Sequence, residues 1–233
     1  MPDLASAAGR LVGAPLGALA RLRGGKPMHP RGAVFDAVLQ RQGGPAWGVP
    51  WLAETGTDPA IARLSRGAGL PAPWPDLLGL AIRLPGGSPG HDAPIDLLLS
   101  TTGRGAILRH VPLLRRDGAA FYSSIMAYRS DAGPVRVAAV PEADTVPSEP
   151  EPLAGAVAGA DLCFTLLAAR GLGDWAPFGR LRLTDPVPAL DPDVRFDAVR
   201  NPPPGLLPDG AMARFRAPAY ALARAGRSAA RNG

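Results

Sequence analysis

The sequence predicts an all-β sandwich or barrel, on three observations. Glycine (29) and proline (28) are spread along all 233 residues, which breaks up long helices and suits strands and turns. Apolar runs of strand length, bounded by Gly and Pro, recur at intervals of about ten to fifteen residues. The stretch AAFYSSIMAYRSDAGPVRVAAVP has the form strand, Asp131-Ala132-Gly133 turn, strand, a hairpin pattern. A hydrophobic content of 46% and a mean hydropathy of +0.05 belong to a globular protein. At 24.0 kDa the chain has the size of a single domain.

The elements follow in order. Residues 4–22, LASAAGRLVGAPLGALARL, place Leu4, Ala8, Leu11, Val12, Leu19 and Leu22 near helical spacing, but Arg10 interrupts the apolar run. They predict an amphipathic N-terminal arm over residues 1–25 that packs on the body or on a partner, including a second copy of the chain. Residues 26–233 form a single domain. KPMHPRGAVFDAVLQ predicts a loop entering a strand, GVPWLAETG a short segment, IARLSRGAG a strand ending in glycines, PDLLGLAIRLPGG a third strand and IDLLLSTTG a fourth. PEADTVPSEPEP, acidic and proline-rich, predicts an exposed loop or short linker. The apolar stretch LAGAVAGADLCFTLLAA is interrupted by Asp161 and too short to span a bilayer, so it predicts a buried helix and strand. A long proline-containing connection then leads to a terminal helix.

Composition excludes several functions. The net charge is +5 with a pI near 10.3, and Lys26 is the only lysine. The arginines are dispersed without stacked aromatics, which does not predict a nucleic-acid binder. One cysteine, Cys163, leaves no internal disulfide and no multi-cysteine metal site, and fits a reducing cytoplasm. No transmembrane segment is predicted.

Three histidines are candidates for chemistry. His91 lies in a loop of turn residues, and His110 in LRHVPLL is expected at a buried strand end. His29 stands at the edge of a predicted strand with Lys26 and Arg31 nearby. Ligand spacing for zinc or a two-metal hydrolase is absent, no glycine-rich phosphate loop precedes a helix, and Ser65 lacks the flanking glycine of a nucleophile elbow. Near the C-terminus, RAPAYALARAGR puts Arg216, Tyr220, Arg224 and Arg227 on one helical stripe. Such a stripe either favours a tyrosinate, an anionic metal ligand, or is a basic terminal helix with solvated arginines and a packed tyrosine.

Taken in order, these segments resemble the heme-dependent catalase family. KPMHPRGAV is similar to that family's Arg-Val-Val-His-Ala-Arg-Gly segment, with His29 at the distal histidine. ARLSRGAG is similar to its Val-Arg-Phe-Ser strand through Arg63 and Ser65. PDLLGLAIRL matches its Asp-Pro-Arg-Gly-Phe-Ala-Val-Lys-Phe strand at Asp76, Gly79, Ala81 and Arg83, and IDLLLSTTG falls on its Trp-Asp-Leu-Val-Gly-Asn-Asn-Thr segment. PFGRLRLTDPVP resembles its Pro-Val-Gly-Lys-Met-Val-Leu-Asn segment, and Arg216 and Tyr220 reproduce its Arg-x-x-x-Tyr, with Arg227 at the following arginine. The correspondence runs over about residues 26–227.

The resemblance implies an α+β, mainly β fold: a catalase-like antiparallel β-barrel with flanking helices and a C-terminal proximal helix. It also implies heme b, held by Tyr220 as axial ligand, with Arg216 stabilising the phenolate. Arg63 and Arg227 would pair with propionates, as would Lys26, which stands where the family has an arginine. Ser65 would join the same cofactor site. His29 would move a proton between the oxygens of a bound peroxide. The family's distal asparagine falls at Ser100 or Thr101, and the chain is much shorter than a typical catalase. A short, divergent bacterial member with peroxidase or hydroperoxide-processing activity is implied, acting on hydrogen peroxide or an organic or lipid hydroperoxide, rather than an efficient catalase. The alternatives are a heme-free barrel serving as a binding module and, with no motif behind it, a hydrolase such as a phosphodiesterase.

Overall fold

A computed structural model describes residues 29–209, apart from 46, 87–91 and 126. Strand β1 (Arg31–Gln42) alternates in character: Ala33, Phe35, Ala37 and Leu39 are buried in the core, while Asp36 and Gln40 on the other face are exposed. Helix α1 (Pro50–Ala53), with proline at its first position, turns the chain into β2 (Thr55–Arg66), which pairs antiparallel with β1 along its whole length. Antiparallel neighbours β3 (Leu78–Leu84) and β4 (Ile95–Thr101) follow. Then come β5 (Tyr122–Ser123), β6 (Tyr128–Ser130), β7 (Gly133–Pro141), α2 (Pro150–Gly159), β8 (Leu162–Arg170), β9 (Ala176–Pro186) and β10 (Leu207–Pro208).

The sheet runs β10-β6-β7-β5-β4-β3-β2-β1-β9-β8, and a further pairing of β7 with β8 closes it. Eight strands thus form a closed antiparallel barrel, with β6 extending the β5 edge of β7 and β10 added to β6. Its interior is filled by side chains such as Phe35, Leu80, Ile82, Leu97, Phe164 and Leu181. Each such side chain contributes about 1.5–3 kcal/mol by leaving water. Both ends are plugged by buried charge. At one end Arg66, wholly buried, donates to the carbonyls of Leu70 and Trp74 and to Ser148 Oγ, with Asp76 and Glu149 within 3.9 and 3.6 Å. At the other, Arg41 donates to Asp58 at 3.2 Å and to the Trp51 carbonyl.

Several expectations change in detail. FYSSIMAY is not one strand: the chain breaks between β5 and β6, where Ile125 adopts φ 38°. The turn at Asp131 and Ala132 stands as expected, with Gly133 at φ 100° opening β7. PEADTVPSEPEP is not simply exposed, because Val146 is buried in the core and Glu149 pairs with Arg31 at 2.6 Å. His110 lies exposed in a 3-10 turn (Leu108–His110), not at a buried strand end: its loop leaves the barrel instead of continuing β4. The apolar stretch from 153 is the end of α2, burying Leu153 and Val157, followed by β8. The N-terminal arm and the terminal helix lie outside the described residues. Among those residues no helix is long and apolar enough to cross a membrane.

Candidate functional site

Residues opposite one another on neighbouring strands point to the same face. Gly32, Ser65, Gly79, Ser100 and Ser123 are successive partners across β1 to β5. Their strand neighbours Ala33, Leu64, Leu80, Leu99 and Tyr122 belong to the core, so this row of small residues lines the outer wall.

His29 is seated on that wall. Its backbone adopts φ 56°, a left-handed conformation that costs a non-glycine residue roughly 1 kcal/mol or more. Three interactions hold it there. The His29 N–H donates to the Gly67 carbonyl at 2.8 Å, its carbonyl accepts from Arg63 Nη2 at 2.9 Å, and Ser65 Oγ lies 2.9 Å from Nδ1. The ring rests against Gly79: a Cβ at that position would stand 2.7 Å from Cε1 and 3.0 Å from Nδ1. Glycine inside a strand here makes a seat for an imidazole. Whether Ser65 donates to Nδ1 or accepts from it decides which ring nitrogen keeps the proton, so the hydroxyl sets the tautomer.

Arg63 lies beside it, over Gly32, where a Cβ would be 2.7 Å from Nη2. Its guanidinium makes a two-pronged pair with Asp191, Nε to Oδ1 at 2.7 Å and Nη2 to Oδ2 at 2.8 Å. A second pair lies further along the same wall. Arg83 donates to both oxygens of fully buried Asp96 at 2.7 Å, and Asp96 also accepts from the Asp197 N–H and Asn201 Nδ2. Its hydrogen bonds to the Asp96 carboxylate hold the Arg83 guanidinium above the usual arginine range. The segment after β9 is thereby strapped across the outer wall, with the backbones of Leu190 and Val187 bonded to Val34.

Of the two hydroxyls expected at the distal asparagine position, Ser100 shares the row with Ser65 and Gly79. Thr101 points the other way: its hydroxyl donates to the Leu113 carbonyl at 2.6 Å and accepts from the Leu78 N–H at 3.2 Å. Lys26, Arg216, Tyr220 and Arg227, and also His91, lie outside the described residues. Sequence reasoning missed three participants. Gly32 and Gly79 carried a signal, being glycines in strand interiors. Asp191 carried none, since 128 residues separate it from Arg63.

Tested against heme b, this wall offers an imidazole held on a row of small side chains, beside an arginine suited to a carboxylate. One exchange is required. Asp191 already answers Arg63 with the same functional group that a propionate would bring.

No protein-family model matches the sequence, and no curated protein matches it. Among solved structures the chain is similar to one described as the structure of a bacterial catalase, with a TM-score of 0.61 at 14% identity, over 90% of this chain and 59% of that one. The chain thus spans a little over half the length of that catalase. At this identity the likeness is one of architecture, and what it shows is that residues 29–209 fold as a catalase-like antiparallel β-barrel.

Proposed function

We propose that the His29 wall is the distal side of a heme b site, and that the chain processes hydrogen peroxide or an organic or lipid hydroperoxide as a peroxidase-type oxidoreductase rather than an efficient catalase. The observation that carries this reading is the seat of His29, with Ser65 on its Nδ1, Gly79 against its ring and Ser100 in the same row. The likeness of the barrel to that of a bacterial catalase supports it.

Heme, when bound, would supply the two electrons that peroxide cleavage needs, and a reducing co-substrate would return them. By resemblance, Tyr220 would hold the heme iron, with Arg216 keeping the phenol in its charged form. Arg63, in exchange for Asp191, would hold a propionate together with Arg227 and Lys26. His29 takes the proton from the nearer peroxide oxygen and returns it to the departing one, as general base and then general acid. Ser65 fixes the ring through that cycle. Ser100 offers one donor where an asparagine offers an amide, so it orients a bare peroxide less firmly. A hydroperoxide whose organic group is held elsewhere depends less on that donor.

The test is an absorption spectrum, across the Soret and visible bands, of protein expressed with added heme precursor and then given peroxide. A Soret band lost in Tyr220→Phe, and kept in His29→Gln with a slowed peroxide response, is expected. A colourless protein that also fails to take up hemin overturns the proposal.

One observation favours a second reading, a heme-free barrel serving as a binding module: the carboxylate on Arg63 comes from the chain itself. Under it Tyr220→Phe changes nothing measurable. A hydrolase reusing His29 has less support, since no group of three or more His, Cys, Asp or Glu is placed to hold a metal ion among the described residues.

A further inference from the structure

The loop between β4 and β5 contains the stretch RGAILRHVPLLRR, residues 104–116, with Arg104, Arg109, Arg115 and Arg116 and no Asp or Glu. Its apolar side chains do not pack inward: Ile107 is 80% and Leu114 62% exposed, and Leu108 and Val111 are exposed as well. Two backbone hydrogen bonds between Asp76 and Arg115 fasten this loop to residues 67–77, where Trp74 is 65% exposed. An open groove lined by Pro75, Leu114, Arg115, Arg116, Asp117 and Phe121 lies at the junction.

The platform is firmly built. Leu113 N–H donates to the Thr101 carbonyl, and buried Arg109 donates to the Gly173 carbonyl with its guanidinium 4.7 Å over the Trp175 ring. Arg66 anchors the neighbouring loop through the carbonyls of Leu70 and Trp74. Exposed apolar side chains on a fixed support, rimmed by arginines, match a surface that enters a lipid interface.

We propose that this end of the barrel docks on an anionic phospholipid membrane, with Ile107, Leu108, Leu114 and Trp74 entering the boundary between headgroups and acyl chains and with Arg104, Arg115 and Arg116 on lipid phosphates. Charge selects the occupant. Between residues 29 and 209 there are 16 arginines against 19 Asp and Glu, so a loop with four arginines and Asp117 as its one acid runs against the balance of the body. Residues 1–28 and 210–233 are both net basic and do not complement it. A second copy set face to face would place arginine against arginine. Nucleic acid calls for several stacked aromatics, and among the exposed large hydrophobic side chains of the described residues Trp74 is the one aromatic. The inference goes beyond the heme reading and stands without it. If both hold, the loop that leaves Ser100 and Thr101 sets the His29 end of the barrel at the lipid surface.

The experiment is co-sedimentation of the full chain with vesicles of phosphatidylcholine, alone or with about a third phosphatidylserine. Binding to the anionic vesicles only is expected, weakening as salt rises from about 0.1 M to about 0.5 M. Each basic residue at such a surface contributes roughly fivefold, so the double variant Arg115→Gln, Arg116→Gln lowers the partition coefficient about thirtyfold. Ile107→Asp with Leu114→Asp abolishes binding, and because both positions are exposed the variant keeps the wild-type melting temperature. Brominated lipid quenches the emission of bound protein, and Trp74→Phe removes most of that quenching. Failure of the wild type to bind anionic vesicles overturns the proposal. So does binding that neither double variant alters, which assigns it to the basic termini, or binding to an oligonucleotide that matches lipid in affinity and ignores Ile107 and Leu114.

Discussion

Replacing Asp191 by asparagine is expected to destabilise the protein and to tighten hemin binding at once. Arg63 keeps 6% of its side chain exposed, and Asp191 22%. Removing one partner of a fully buried pair costs about 3–5 kcal/mol, because a charge stays behind without compensation. Water reaches Asp191 in part, so about 2 kcal/mol is the expected loss for Asp191→Asn. For a domain of this size that lowers Tm by about 4–8 °C. Arg63→Met costs less on this side, since the carboxylate it leaves can hydrate. The double variant is expected to be no less stable than Asp191→Asn alone, giving a coupling of about 1.5–2 kcal/mol in a double-mutant cycle followed by urea unfolding. Hemin titration of the same proteins should show Asp191→Asn binding more tightly than wild type and Arg63→Met more weakly, because the guanidinium is released in one and gone in the other. A Tm shift below about 1 °C in Asp191→Asn, or strict additivity, refutes the buried-pair argument. Lower stability with unchanged or weaker hemin binding refutes the propionate exchange alone.

Other outcomes follow from the same geometry. Gly79→Val pushes the His29 ring off the wall, since even a Cβ would come within 2.7 Å of Cε1; a loss of about 1–3 kcal/mol from overpacking is expected on unfolding, with a shifted His29 ring resonance by NMR. Ser65→Ala removes the 2.9 Å contact to Nδ1 and is expected to cost about 1 kcal/mol and to mix the imidazole tautomers in long-range nitrogen–proton spectra. For His110, partial burial, and then the positive charges of Arg136 and Arg109, hold the imidazole below the usual histidine range. The folded chain therefore takes up this proton at lower pH than the unfolded chain. Stability falls as pH drops through the unfolded value of about 6.5, and His110→Gln is expected to flatten that slope in melting curves taken from neutral to mildly acidic pH.

The barrel was legible where local chemistry and pattern agreed. Glycine at 133 announced the turn before β7, and the apolar run of IDLLLSTTG announced β4, because both signals lie within a few residues. Ile125 announced nothing: a β-branched residue at φ 38° is held by its surroundings. Nothing local marks Glu149 as paired, because its partners Arg31 and Arg66 lie far away in sequence. The candidate site divides the same way. His29, Arg63 and Ser65 stood in recognisable segments, but the choice between Ser100 and Thr101 depended on strand register, which fixes the face of every residue at once. Asp191 entered only through tertiary packing.

The row of small residues lies on the outside of the barrel, while the hydrophobic core lies within, so the wall that carries the candidate chemistry and the packed interior share strands but not side chains. A change on the wall costs the contacts made there and leaves the packing of the core in place. Ser100→Asn, which would place an amide on the His29 wall, changes no core side chain, and neither does the loss of His29. A scaffold of this kind can change what its outer wall holds while its core remains packed.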